Sequence, residues 1–159
     1  MRRLTRFLAL PAEDRRAFAV SIALLCVVRL SLWIVPFGWL RAAVRRVASP
    51  PDGTPDPTPG EAERTVQAIE SAARSVPGAT CLTQALAAEL LLRRAGHPAA
   101  IHVGVAKTSS GQLAAHAWIE AYGRVLLGDH DLDHYTRLHP VGGDLVDLDP
   151  RYPAPPKGA

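Results

Sequence analysis

The sequence predicts an α+β domain in which several helices come first and a short antiparallel sheet follows. Three observations predict it. Apolar residues recur at helical spacing up to about residue 95, and from residue 99 they alternate as they do on strands. Between these stretches a threonine precedes a cysteine that opens the most regular helical pattern in the chain, Cys81 to Ala95. At 159 residues, 48% of them hydrophobic, the chain can bury the core of one modest domain with a small helical extension. It shows no internal period.

The elements follow in order. Pro11, Glu13 and Asp14 suit the first turn of a helix running to about Val35. A shorter helix, about Phe37 to Val47, ends on Arg45 and Arg46, which complement its negative end. Residues 49–60 hold five prolines, two glycines and two aspartates and read as a linker. A helix over Glu61 to Ser75 places Val66, Ile69 and Ala73 on one stripe. Thr80 caps the helix that begins at Cys81, an i,i+4 pair Glu89–Arg93 supports it, and Gly96 stops it. Strands are expected over Ala99 to Val105, Ala114 to Ala121 and Arg124 to Gly128, with Tyr122-Gly123 as a tight turn. The expected organisation is a basic helical region (1–48), the linker (49–60), a main domain (61–150) and a tail (151–159).

Charge is divided unevenly. Residues 1–48 carry nine arginines against Glu13 and Asp14, a net of +7, whereas residues 49–159 carry a net of −4. The N-terminal part is therefore expected to meet something acidic, a polypeptide or an anionic membrane surface; the alternative is a set of solvated arginines. Nucleic acid is not expected, because no groove-reading motif or aromatic-interleaved basic patch occurs. The apolar run Ala17 to Val28 is broken by Arg29 and followed by no small-x-small cleavage site, so it reads as a packed or interfacial helix. Trp33, Phe37 and Trp39 could supply peripheral membrane contact. Cys26 and Cys81, in unlike surroundings, read as free thiols of a cytoplasmic protein, with Cys26 a core residue of its helix.

A helix that starts at a cysteine can be a device for making a nucleophile, the alternative on the helix pattern alone being an ordinary buried thiol in the first turn. The reactive species is the thiolate, which the positive end of a helix and a neighbouring histidine stabilise. Free N–H groups of the first turn near Cys81 could also hold an oxyanion. Alternation puts His116, Trp118 and Glu120 on one face of their strand and Ala115, Ala117 and Ile119 on the other. A two-residue turn at Tyr122-Gly123 would oppose Ala121 to Arg124, Trp118 to Leu127 and His116 to Asp129. Directly opposed Cβ atoms lie about 4.5–5.5 Å apart, near enough for a carboxylate to orient an imidazole. Asp129 is thus the expected third member beside Cys81 and His116, with Asp131 as the alternative if the register slips. Trp118 is expected to shield the pair and to contact substrate, or else to be plain core. His130, His134 and His139 among Asp129, Asp131 and Asp133 lack the spacing of a calcium loop or a zinc site, so no metal and no cofactor is expected.

The segments Ala79-Thr80-Cys81-Leu82-Thr83-Gln84-Ala85-Leu86-Ala87-Ala88, Arg93-Arg94-Ala95-Gly96-His97-Pro98 and His116-Ala117-Trp118-Ile119-Glu120 resemble the leader peptidase of lasso peptide biosynthesis. The resemblance spans roughly Glu61 to Leu132, with a similar helical prelude at Phe7-Leu8, Leu10-Pro11 and Pro36-Phe37. It implies a papain- or transglutaminase-like core. It also implies a cysteine peptidase that removes the leader from a ribosomally made precursor, with Cys81, His116 and Asp129 in the catalytic roles. The freed core would pass to an ATP-dependent lasso cyclase. Residues 1–48 read as two helices without strands, so a separate winged-helix leader-recognition protein is the expected partner. Gln84 departs from the arginine common in that family. An amidase or acyltransferase of the same fold, and a non-catalytic scaffold, are the competing expectations.

Overall fold

The structure is a computed structural model that describes residues 11–138; the expected tail and His139 lie outside the described residues. Among the described residues, four α-helices precede a four-stranded antiparallel sheet. The helices are α1 (Ala12–Ile34), α2 (Phe37–Val47), α3 (Pro59–Ala73) and α4 (Cys81–Arg94). The strands are β1 (Ala99–Lys107), β2 (Leu113–Ala121), β3 (Arg124–Leu127) and β4 (Thr136–Arg137), in spatial order β3-β2-β1-β4. The α+β reading therefore holds.

Local chemistry sets the boundaries. Helix α3 starts two residues earlier than its apolar stripe suggests, because Pro59 is tolerated in a first turn and Thr58 forms a capping box with Glu61. In that box the Thr58 N–H donates to Glu61 Oε2 at 2.8 Å. The hairpin between β2 and β3 turns on Tyr122 (φ 54°) and Gly123 (φ 72°), the two positive angles a tight two-residue turn requires. β4 was not legible in advance: a two-residue strand has no periodicity, and a single-turn 3₁₀ helix over Leu132–His134 leads into it.

The core lies between the helices and one face of the sheet. Leu25 of α1, Val66 and Ile69 of α3, and Ala85, Ala88 and Leu92 of α4 meet Ala117, Ile119 and Ala121 of β2 and Leu127 of β3. Alanines at 85, 87 and 88, all fully buried, let α4 approach the sheet closely. Glu89 is buried in α4 and pairs with Arg41 of α2, an interhelix tie beyond the expected partner Arg93. Burial pushes the Glu89 carboxyl above the ordinary range and the Arg41 charge opposes that shift. Cys26 is a correction. It is exposed on α1, not in the core, because Ser21, Leu25 and Val28 form the buried stripe and Cys26 lies on the opposite side.

A tight turn carries the chain from α4 into β1, with the His97 N–H donating to Leu92 O and Gly96 in the left-handed region (φ 85°). β1 thus returns along α4, and β2 runs antiparallel to β1. That path sets the Cys81 end of α4 and the N-terminal half of β2, with His116, toward the same end of the layer.

Candidate active site

Cys81 is the first residue of α4 and is half-buried. Thr80 is its N-cap, with Oγ1 accepting from the Thr83 N–H at 3.3 Å and lying 3.0 Å from Thr83 Oγ1. The helix offers no acceptor to the N–H groups of Cys81 and Leu82, which leaves two donors beside the sulfur. Two side chains secure the segment that leads into Cys81. Gln84 Nε2 donates to Ala79 O at 3.1 Å, and the guanidinium of Arg29, the charge that interrupts the apolar run of α1, donates to Gly78 O. Gly78 sits at φ 70°, and an added Cβ would collide with that guanidinium at 2.5–2.6 Å. Sequence spacing suggested no such role for Arg29.

His116 lies on the sheet face away from the helical core, together with Trp118 and Glu120, as alternation predicted. His102 and Gly104 of β1 pair with Trp118 and His116 across the ladder. The His116 ring stacks on Trp118 (centroids 6.2 Å apart, 20° between planes) and tilts against Tyr135 at 5.3 Å. Trp118 also stacks on His102 at 5.7 Å, and the Arg137 guanidinium lies 5.3 Å from its centroid. The indole is only 1% exposed, which makes it the wall behind His116 and gives it little surface to present to a substrate. Gly104 permits this layer, since a Cβ there would meet Tyr135 Cβ at 2.9 Å and Trp118 Cζ3 at 3.0 Å.

The polar end of the layer is Glu120. It receives hydrogen bonds from Trp118 Nε1 at 3.2 Å and from Arg137, and His102 Nε2 stands 3.2 Å from it. The hydrogen bond with His102 is the chief reason its carboxyl is held down at about 2. A carboxyl whose pKa is lower folded than unfolded binds fewer protons when folded. It therefore adds stability above its unfolded value of 4.5, and that stability is lost as pH falls from there toward about 2. Glu120→Gln is expected to flatten the acid limb of a plot of Tm against pH over that window. A wild-type acid limb in the Gln variant would remove Glu120 as its source.

The hairpin register departs from expectation. Ala121 pairs with Arg124 and Glu120 with Val125, but Ile119 pairs with Leu127, so a bulge at Leu126 displaces all later partners by one. The predicted oppositions of Trp118 to Leu127 and of His116 to Asp129 are thereby corrected. β3 ends at Leu127, and His116 Nε2 lies 2.8 Å from the carbonyl of Gly128. A carbonyl can only accept, so Nε2 carries the proton and the neutral ring presents Nδ1 as its base. Gly128, at φ 81°, was missed by side-chain reasoning because its contribution is a backbone oxygen. The one cue in the sequence was a glycine at the expected strand end. Among the described residues, no hydrogen bond joins Asp129 to His116, and none joins Cys81 to His116. The thiol packs against the helical side of the core and the ring belongs to the outer face of β2. Also among the described residues, no three His, Cys, Asp or Glu side chains gather as a metal site.

Comparison with known proteins agrees with this architecture. No curated protein and no solved structure gave a significant match. A profile of the Transglutaminase-like superfamily matches residues 24–139, from within α1 to just past β4. That span is well over half of the chain and includes the cysteine-led helix and the histidine strand, and on that ground the chain belongs to the transglutaminase-like superfamily.

Proposed function

We propose that the protein is a cysteine peptidase that removes the leader from a ribosomally synthesised lasso peptide precursor, with Cys81 as nucleophile and His116 as base. The observation that carries the chemistry is a cysteine opening a capped helix, toward the same end of the layer as a histidine whose Nε2 is bonded to Gly128 O and whose Nδ1 is left as base. The narrower substrate rests on the resemblance of the segments around Cys81, Gly96 and His116 to lasso leader peptidases.

In this reading Nδ1 of His116 takes the thiol proton and the sulfur attacks the carbonyl at the leader–core junction. The N–H groups of Cys81 and Leu82 receive the developing oxyanion. His116 returns the proton to the departing amine, and water then resolves the thioester. Trp118 holds the ring in plane from behind. Asp129, next to the carbonyl that binds Nε2, is the proposed third member, with Asp131 its alternative. Cys81 and His116 share no hydrogen bond in the structure, so this reading requires the two to approach one another in the working enzyme, and substrate tightens the pair further. A separate winged-helix protein would deliver the leader, and an ATP-dependent lasso cyclase would take up the product; the setting would be the cytoplasm.

The missing Cys81–His116 bond favours one second reading, a transglutaminase-like fold retained as a non-catalytic scaffold. Incubating the full chain with a precursor and its leader-binding protein, followed by mass spectrometry, separates the two. Leader release at a single junction is expected. An intact precursor, with the recognition protein bound to it, would contradict the peptidase.

A further inference from the structure

Helix α1 carries a feature that the proposed chemistry does not use. Its buried stripe is Ser21, Leu25 and Val28, yet the opposite side is also apolar. Ala19, Val20, Ala23, Cys26, Val27, Leu30, Trp33 and Ile34 are all exposed, and at 100° per residue they form one stripe about 140° wide. A helix on a water-facing surface normally puts its charges there; here the outward stripe carries none from Ala19 to Ile34. The most apolar 18-residue window of α1 has a mean hydropathy of 2.2 and is only 17% buried. Past the corner at Pro36 the same character continues in Phe37 and Trp39, and Trp33, Ile34 and Trp39 are 78%, 80% and 76% exposed. Arginines flank the stripe: Arg16 at the start of α1, and Arg45 and Arg46, both exposed, in the last turn of α2.

From this arrangement we infer that the outward face of α1 and the α1–α2 corner dock onto an anionic lipid bilayer, with the helix in the plane of the interface. Two tryptophans at one corner match the preference of indole rings for the headgroup level. The flanking arginines, in a region of net charge +7, complement anionic headgroups. A protein partner fits less well, because specific protein interfaces carry about one hydrogen bond per 100–200 Å² and the side-chain donors of this stripe are the Trp33 indole N–H and the weak Cys26 thiol. Spanning is not the geometry, since the other side of α1 is packed on α3 and α4 through Leu25 and Val28.

The full chain should co-sediment with vesicles of mixed phosphatidylcholine and phosphatidylglycerol, more weakly with phosphatidylcholine alone, and with a blue shift in tryptophan emission. Trp33→Ser with Trp39→Ser should lower the vesicle-bound fraction at least about tenfold, and Arg45→Glu with Arg46→Glu should remove the preference for anionic lipid. These four side chains are exposed, and matching thermal melts would establish that the variants fold. Wild-type protein left in the supernatant with anionic vesicles would overturn the inference. So would binding unaffected by the tryptophan pair, or a homodimer in light scattering that this pair dissociates. Binding neither requires nor reports peptidase activity, so it stands or fails apart from the proposed function.

Discussion

Cys81→Ala is expected to abolish leader cleavage, by about 10⁴-fold or more, as removal of a covalent nucleophile does elsewhere. Stability should change by about 1 kcal/mol or less, because the thiol is small, half-buried and lies outside the cap that starts α4. Thr80 and Thr83 hold that first turn whether or not sulfur is present. Peptide release quantified beside a thermal melt distinguishes loss of chemistry from loss of fold. Cleavage persisting in the folded variant would remove Cys81 from the mechanism.

Gly128→Val is expected to have the second largest effect, on activity and stability together. The backbone there is left-handed at φ 81°, and an L side chain in that region costs about 1–2 kcal/mol. An added Cβ would also stand 2.9 Å from Ala117 O, 3.0 Å from Trp118 Cβ and 3.2 Å from His116 Nε2. All three atoms belong to residues of β2, and two of them, Ala117 O and Trp118 Cβ, are fixed to its backbone and cannot swing away as a flexible side chain could. Relief must come from moving the Gly128 carbonyl, which breaks the bond that fixes the His116 tautomer. A misplacement of about 1 Å at a catalytic group can cost about 10²-fold, and a loss of that order in kcat is expected with KM little changed. Unfolding in urea should show a loss of about 2 kcal/mol or more. Wild-type kcat in the variant would mean that the carbonyl does not position the base.

Much of the fold was legible because its signals are local. Helix α4 announced itself through Thr80, the spacing of Leu82, Ala85, Leu86 and Leu90, and Gly96, and each of those boundaries is reproduced to within a residue. The two-residue turn at Tyr122-Gly123 was readable for the same reason. The register beyond that turn was not. A bulge at Leu126 depends on how β3 packs against β2, and a period-two pattern in a four-residue strand is too short to reveal one inserted residue. The carbonyl of Gly128 was invisible for a different reason, since side-chain chemistry says nothing about which backbone oxygen meets an imidazole. Arg29 was read as an interruption of a hydrophobic run, while in the fold it clamps the turn before Cys81. Cys26 was misplaced because α1 is apolar on both sides, so hydrophobicity could not choose the buried one.

Cys26 also supplies the internal control for the central claim, that Cys81 is a nucleophile served by His116. The measurement is alkylation by iodoacetamide at about pH 6 without lipid, with each site followed by mass spectrometry. Access alone would favour Cys26, which is exposed, over the half-buried Cys81. The reverse order is expected, with Cys81 labelled first, cleavage lost in step with it, and His116→Ala slowing Cys81 while leaving Cys26 unchanged. Labelling of Cys26 first, or a Cys81 rate indifferent to His116, would contradict it.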